Sequence, residues 1–193
     1  MKKGKLVVLS APSGTGKTTI CKELLARNKK WKFSISATTR PKREDEIDGK
    51  DYVFMDIKKF ESNERFGEFL EWEWVHGNRY GTPIAPIENA LDNGNVMLLD
   101  IDVKGGMSVI EEFPDDCISI FIEPPGFNPA DKLEVLNDRL KKRDNNSERL
   151  IKERLKRFEL EMGYKENFKE HFINDDVIKT TDKIEKKIKE SIK

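Results

Sequence analysis

The sequence predicts an α/β fold: a doubly wound parallel sheet, with an inserted, mostly β subdomain and a helical lid. Three observations carry that expectation. Lys5–Ser10, Val96–Ile101 and Cys117–Ile122 are short, continuous apolar runs rich in Val, Leu and Ile. Runs of this kind suit parallel strands covered on both faces, where an alternating pattern would suit a half-exposed sheet. Helical patterns separate the runs, which favours strand–helix–strand units. A Gly-rich turn joins the first run to the first helical pattern.

Taken in order, Lys5–Ser10 is the first strand, and Ile20, Leu24 and Leu25 form one face of the helix that follows. From Ser34 to Pro86 the chain turns polar, charged and aromatic, with a turn signal at Ile47-Asp48-Gly49, and reads as an inserted β subdomain. Val96–Ile101 is entered after Asn93-Gly94 and ends in carboxylates; Cys117–Ile122 is closed by Pro124-Pro125. The segment 125–154 is dense in Lys and Arg, with Asn145-Asn146 in its middle, and reads as a mobile helical lid. Leu150, Ile151, Leu155, Phe158 and Met162 then keep helical spacing. His171–Ile178 reads as a last short strand and turn, and Asp182 as the cap of a final helix bearing Ile184, Ile188 and Ile192. The expected division is a single domain over 1–193, with its core in 1–33, 87–124 and 155–193, the insert in 34–86 and the lid in 125–154.

Composition narrows the partners. The 36 basic and 36 acidic side chains cancel, which gives no support for a nucleic-acid or membrane-surface protein. No apolar run approaches the ~20 residues of a membrane span. The basic and then apolar N-terminus leads straight into the Gly-rich turn and reads as a strand rather than a signal peptide. Cys21 and Cys117 lack disulfide or metal-ligand spacing and read as reduced thiols of a cytoplasmic protein.

The chemistry begins at Ala11-Pro12-Ser13-Gly14-Thr15-Gly16-Lys17-Thr18, which meets the P-loop pattern except that Ala11 stands for the first Gly. Successive backbone N–H groups must turn toward phosphate oxygens, and Gly14 and Gly16 permit that backbone. The following helix aims its positive end at the same anion. Lys17 would reach the β and γ phosphates of ATP, and the Thr18 hydroxyl would ligate Mg²⁺. Asp100 and Asp102 end an apolar run, where a parallel sheet binds its ligands, and Asp100 is placed to hold Mg²⁺ directly or through water. Without the loop, both would read as ordinary strand-end acids.

Further stretches carry a family resemblance. They are Ser36–Arg43, Gly49-Lys50-Asp51-Tyr52, Phe69-Leu70-Glu71-Trp72, Gly77–Thr82, Leu99–Asp102 and Asn174-Asp175-Asp176. In order and spacing they resemble the successive signatures of guanylate kinases, over almost the whole chain from Leu6 to Asp176. The resemblance implies a P-loop enzyme that moves the γ-phosphoryl group of MgATP to GMP, and to dGMP, in purine nucleotide metabolism. Arg40, Arg43, Tyr52 and Tyr80 would hold the GMP phosphate. Glu71 would accept from guanine N1–H and the 2-amino group, with Ser36, Gly81, Thr82 and Asp102 completing the pocket. Ala11 to Thr18, Thr19 and Asn174 would bind ATP, Asn174 at the adenine. Lys17, Arg139, Arg143 and Arg154 would face the transferring phosphoryl group.

Read without the resemblance, Glu71 is a surface acid beside Trp72 and Trp74, Tyr52 and Tyr80 are sheet packing, and the Lys/Arg run is a solvated face that includes Arg149, Lys156 and Arg157. Two other functions stand beside the kinase: an inactive interaction module of the same fold, and a kinase for another phosphorylated acceptor. Lys17, Thr18 and the arginines argue against the first, Glu71 and Thr82 against the second. The sequence departs from the family at Lys104, where Gln is common, and in the longer segment Pro125–Val135. Monomer and homodimer both remain open.

Overall fold

Leu6, Val7, Val8 and Leu9 have no exposed surface, which a strand achieves only when both of its faces are covered. In the computed structural model this run is β1 (Lys5–Ser10), the centre of a five-stranded sheet. Residues 3–75, 77–143 and 148–192 are described; the side chains of Val75, Lys142, Arg143, Arg149, Leu150 and Arg154 lie outside the description, as do His76 and Asn145-Asn146.

β1 pairs in parallel with β7 (Val96–Asp100) on one side and β8 (Cys117–Glu123) on the other. β2 (Lys32–Phe33) and β9 (Glu170–Ile173) complete the order β2-β7-β1-β8-β9, all parallel. Alternate residues of β1 serve opposite faces, as the two-residue period requires. Val7 and Leu9 join Ile20 and Leu24 of α1 (Lys17–Arg27) and Ile184 and Ile188 of α8 (Val177–Ser191). Leu6 and Val8 join Ile87 of α3 (Ile84–Asp92) and Val109 of α4 (Val103–Glu112). Helices on both faces make the sheet doubly wound. Among the described residues no helix is long and apolar enough to cross a membrane.

A second sheet, of order β4-β3-β6-β5, lies within the inserted stretch: β3 (Ala37–Thr38), β4 (Val53–Phe54), β5 (Phe69–Val75) and β6 (Asn78–Pro83). The same stretch holds a helix that the β reading passes over, α2 (Ile57–Arg65). Asp56 caps it by accepting from Lys59 N–H at 2.7 Å. Fully buried Phe60 fixes it to the sheet, its ring 4.5 Å from that of Phe69. α3 starts at Ile84, before the expected boundary.

The segment 125–154, expected to be a lid, holds α5 (Pro129–Arg143) and all but the last two residues of α6 (Glu148–Lys156). The helical pattern expected to run unbroken to Met162 breaks at Arg157 and resumes as α7 (Phe158–Gly163). A 3-10 turn at Lys165–Asn167 leads into β9. The last helix also departs from expectation. Its cap is Asp176, whose carboxylate accepts from Lys179 N–H at 2.8 Å. Asp182 sits inside α8 and pairs with Arg27 at 2.5 Å. Val177 and Ile178, read as strand and turn, are helical.

Cys21 on α1 and Cys117 on β8 are both buried and free. Burial raises both thiol pKa values, that of Cys117 to about 12.

Asp176→Ala should lower the stability of the fold by about 1 kcal/mol through the lost cap. Asp182→Ala, which removes a half-exposed ion pair, should cost less. Urea unfolding of both variants distinguishes them, and a larger loss at Asp182 would return the cap to the later residue.

Candidate active site

β1 and β7 are in parallel register, with Leu9 opposite Asp100. The Gly-rich loop leaving β1 and the acid ending β7 therefore emerge at the same sheet edge. The loop turns through two left-handed residues, Gly14 (φ 88°) and Gly16 (φ 102°), where a side chain would be strained. Gly16 caps α1, and Lys17 is that helix's first residue. The Lys17 ammonium lies 2.9 Å from Asp100 Oδ1 and donates to the Ile101 carbonyl. Burial alone would depress its pKa, but Asp100 outweighs burial and holds it above the ordinary value.

Lys17, Thr18, Asp100 and Asp102 line one cavity of about 390 Å³ with the loop backbone. The Thr18 hydroxyl and Asp100 carboxylate are hard oxygen donors, a pair that suits Mg²⁺ completed by phosphate oxygens and water. Among the described residues no cluster of three His, Cys, Asp or Glu forms a metal cage, so an ion here would depend on its nucleotide for ligands.

Asn174 is 1% exposed and closely packed on the loop. Its Nδ2 donates to the Thr15 carbonyl at 2.6 Å, and its Oδ1 has no partner. Arg139 donates from Nη1 to the same carbonyl at 3.1 Å and from Nη2 to the Asn174 carbonyl at 2.8 Å. Both residues thus hold the loop itself. Burial lowers the Arg139 pKa. Arg143 and Arg154, the other two arginines expected at the phosphoryl group, have side chains outside the described residues. Thr19 is exposed on α1.

The second sheet carries another polar group of residues. Glu71 on β5 stands opposite Thr82 on β6. The Thr82 hydroxyl donates to Glu71 Oε1 at 2.5 Å. Burial raises the Glu71 pKa, against the pull of that hydrogen bond. The head of α4 closes on the same carboxylate. A Cβ on Gly105 would stand 3.2 Å from Glu71 Cδ, so glycine lets the helix approach. Asp102 caps α4, its Oδ1 accepting from Gly105 N–H at 3.0 Å. Although burial opposes it, that hydrogen bond, with Glu73, Lys17 and Arg157 adding to it, keeps the Asp102 pKa below the ordinary value. Lys104, the departure from the family's Gln, pairs with Glu73 at 3.1 Å and so joins α4 to β5.

Farther along the insert, Arg40 donates from Nε to the Tyr80 hydroxyl at 3.2 Å and stacks 5.4 Å above the Tyr52 ring. The rings of Tyr52 and Tyr80 meet edge to face at 5.8 Å. Glu46, which the sequence reading did not single out, takes the Arg40 fork with both oxygens, at 2.6 and 3.0 Å. It also accepts from the Arg43 N–H at 2.9 Å. The Arg40 guanidinium and that N–H lower its pKa to about 2. Ser36 precedes β3 and accepts from Val53 N–H through its carbonyl. Gly81 is buried, and a Cβ there would meet Phe60 and Phe69 at 3.1 Å. The Arg43 side chain is exposed.

Glu153, Arg157 and Glu161 also line the cavity and escaped the sequence reading. Arg157, assigned to a solvated face, reaches Asp102 Oδ2 at 3.2 Å. Glu161, four residues on and 6% exposed, accepts from the Ser13 N–H at 3.3 Å, and burial raises its pKa. Their four-residue spacing on one face is a signal, but the surrounding Lys/Arg/Glu run repeats it at many other positions.

The family model described as Guanylate kinase matches residues 3–191. A guanylate kinase of Chlorobium luteolum is 45% identical over 172 residues, covering 89% of this chain and 84% of that one. A guanylate kinase of Clostridium tetani is 42% identical over 185 residues, covering 96% and 85%. The crystal structure of guanylate kinase from Anaplasma phagocytophilum superposes with a TM-score of 0.76 at 30% identity, covering all of this chain and 89% of that one.

Gly16→Ala should destabilise the loop twice over: by its positive φ and by a Cβ that would lie 2.6 Å from Asn174 Nδ2. The expected loss is about 1–3 kcal/mol. Adding Asn174→Ala should relieve the contact but not the φ strain, so the double variant recovers part of the loss relative to Asn174→Ala alone. Urea unfolding of the four-member cycle measures both parts; full recovery would show that the backbone there is unstrained.

Proposed function

The chain belongs to the guanylate kinase family and is a nucleoside-monophosphate kinase; on that premise we propose that it transfers the γ-phosphoryl group of MgATP to GMP, and also to dGMP, yielding ADP and the nucleoside diphosphate. The observation that carries the acceptor assignment is Glu71: a partly buried carboxylate, hydrogen-bonded by Thr82, against the head of the helix whose cap residue lines the P-loop cavity.

Guanine presents two adjacent donors, N1–H and the 2-amino group, and an ionised Glu71 accepts both. Adenine presents a lone pair at N1 and no 2-amino group, so it would leave the carboxylate unpaired. In this reading Thr82, Ser36, Gly81 and Asp102 form the rest of the base pocket. Arg40, Arg43, Tyr52 and Tyr80 bind the acceptor phosphate, with the Arg40 fork passing from Glu46 to the dianion. The insert 34–86 is then the acceptor subdomain and 125–154 the lid.

The P-loop from Ala11 to Thr18, with Thr19 and Asn174, holds ATP. Thr18 and Asp100 would hold Mg²⁺, which when bound would help neutralise the phosphate charge. An acceptor phosphate oxygen attacks the γ-phosphorus in line, and Lys17, Arg139, Arg143 and Arg154 bear the charge that develops on the transferring group. Closure of the lid and insert excludes water, which would otherwise take the phosphoryl group. We place the reaction in the cytoplasm and in purine nucleotide metabolism, carried out by a monomer or homodimer.

A coupled assay of ADP release with GMP, dGMP, AMP, CMP and UMP tests the assignment, with GMP and dGMP expected to lead. Glu71→Ala should lower kcat/KM for GMP by about 2–4 kcal/mol, roughly 30- to 1000-fold, and lower AMP turnover far less. A change under about threefold for GMP would remove Glu71 from the base pocket.

The raised Glu71 pKa adds a pH signature. Guanine needs the ionised form, so kcat/KM for GMP should fall as pH drops through a value above the ordinary Glu range. Glu71→Gln should remove that limb while leaving the one due to the acceptor phosphate. Stability runs the other way. A carboxyl whose pKa is raised on folding contributes fully below its unfolded pKa and loses that contribution as pH rises through the folded one. At neutral pH Glu71→Gln should therefore be more stable than the wild type, by a margin that shrinks in acid. A wild-type advantage at neutral pH would contradict this.

A further inference from the structure

Arg157 occupies the break between α6 and α7 and lines the P-loop cavity. Its guanidinium is held between two carboxylates with different attachments. Glu161, at 3.7 Å, also accepts from the Ser13 N–H and so belongs to the loop side. Asp102, at 3.2 Å, belongs to the head of α4. The two Asp102 oxygens are then separately fixed: Oδ1 accepts from Gly105 N–H and Oδ2 from Arg157 Nη2. With both oxygens tied, the carboxylate plane has one orientation. Gly105 is also the residue whose missing Cβ would touch the Glu71 carboxylate at 3.2 Å. Glu71 and Asp102 thus flank the same glycine.

We propose that Arg157 is a positioning residue for acceptor specificity, aiming Asp102 Oδ2 at the second proton of the guanine 2-amino group. The inference rests on the guanylate kinase reading above. Glu71 can accept from N1–H and one amino proton. The second amino proton needs another acceptor, and a buried N–H left without one is costly. Asp102 also meets the Glu73 carboxyl, which the 2-amino group would replace; Oδ2 then offers one lone-pair direction to Arg157 and another to that proton. Without Arg157, Asp102 keeps its cap at Oδ1 but loses the constraint on Oδ2. Its second cationic neighbour, Lys17, is already engaged by Asp100.

The discriminating acceptor is IMP, which shares the O6 and N1–H edge of GMP but lacks the 2-amino group. Dissociation constants for GMP and IMP are measured by calorimetry on the wild type, Arg157→Ala and Arg157→Lys, with kcat for GMP at saturating MgATP alongside. Arg157→Ala should weaken GMP on the order of tenfold, leave IMP unchanged and change kcat by less than about threefold. Arg157→Lys should recover part of the GMP affinity by keeping a cation at Oδ2.

Equal weakening of GMP and IMP would show a merely structural residue and overturn the proposal. So would a large fall in kcat with both affinities intact, which would make Arg157 a group acting on the phosphoryl oxygens. No change in any quantity would overturn it too. Should the Ala variant fail to fold, Arg157→Gln and Arg157→Lys carry the same comparison. A wild-type protein without phosphotransfer to GMP would instead sink the functional reading.

Discussion

The contact between Lys17 and Asp100 is the one on which the rest of the site depends. It exists because β1 and β7 are adjacent and parallel, which delivers the loop after one and the acid ending the other to a single edge. Without that partner burial would push the ammonium's pKa down, against the charge a phosphate needs. The demand reaches into the core, since the strands that fix the register are the fully buried ones, Leu6–Leu9 and Leu98–Leu99. The packing of the sheet thereby sets the distance between the two groups at the cavity wall.

Around that fixed point the protein assigns opposite characters to two acids. Glu71 and Asp102 both touch Gly105, yet burial raises the pKa of one while, against burial, a helix cap, Glu73 and two cations lower that of the other. The difference is local. Asp102 receives a backbone N–H at the positive end of α4, whereas Glu71 has a hydroxyl in a desolvated sheet. Sites commonly separate similar groups in this way and give up some stability to do so. The Glu73–Lys104 pair beside them ties the large sheet's helix to the small sheet's strand.

What the sequence made legible follows from how local each signal is. The three central strands were readable because burial on both faces demands unbroken apolar runs, and the loop because its glycines and Lys17 act within eight residues. α2 was not, because only Phe60 of its nine residues is buried and the remainder looks like polar insert. β2, β3 and β4 span two residues each, too short for any period. Asp182 and Asp176 both precede apolar helical positions, and only the backbone geometry decides which one caps. Arg157 and Glu46 were lost for a different reason. Their meaning lies in partners 55 and 6 residues away, Asp102 and Arg40, and within a charged run nothing marks which charge is engaged.

The two cysteines carry a consequence for how the molecule can be watched. Cys21 lies on the inner face of the first helix at 1% exposure and Cys117 in the central sheet at 7%, and neither forms a disulfide. Thiol reagents attack the thiolate, and burial leaves both sulfurs protonated as well as covered. Alkylation must then wait for the surrounding structure to open. The chain therefore contains two intrinsic clocks, one on the helix that follows the phosphate loop and one in the sheet. Their relative labelling rates under native conditions report whether these regions open together or as separate units.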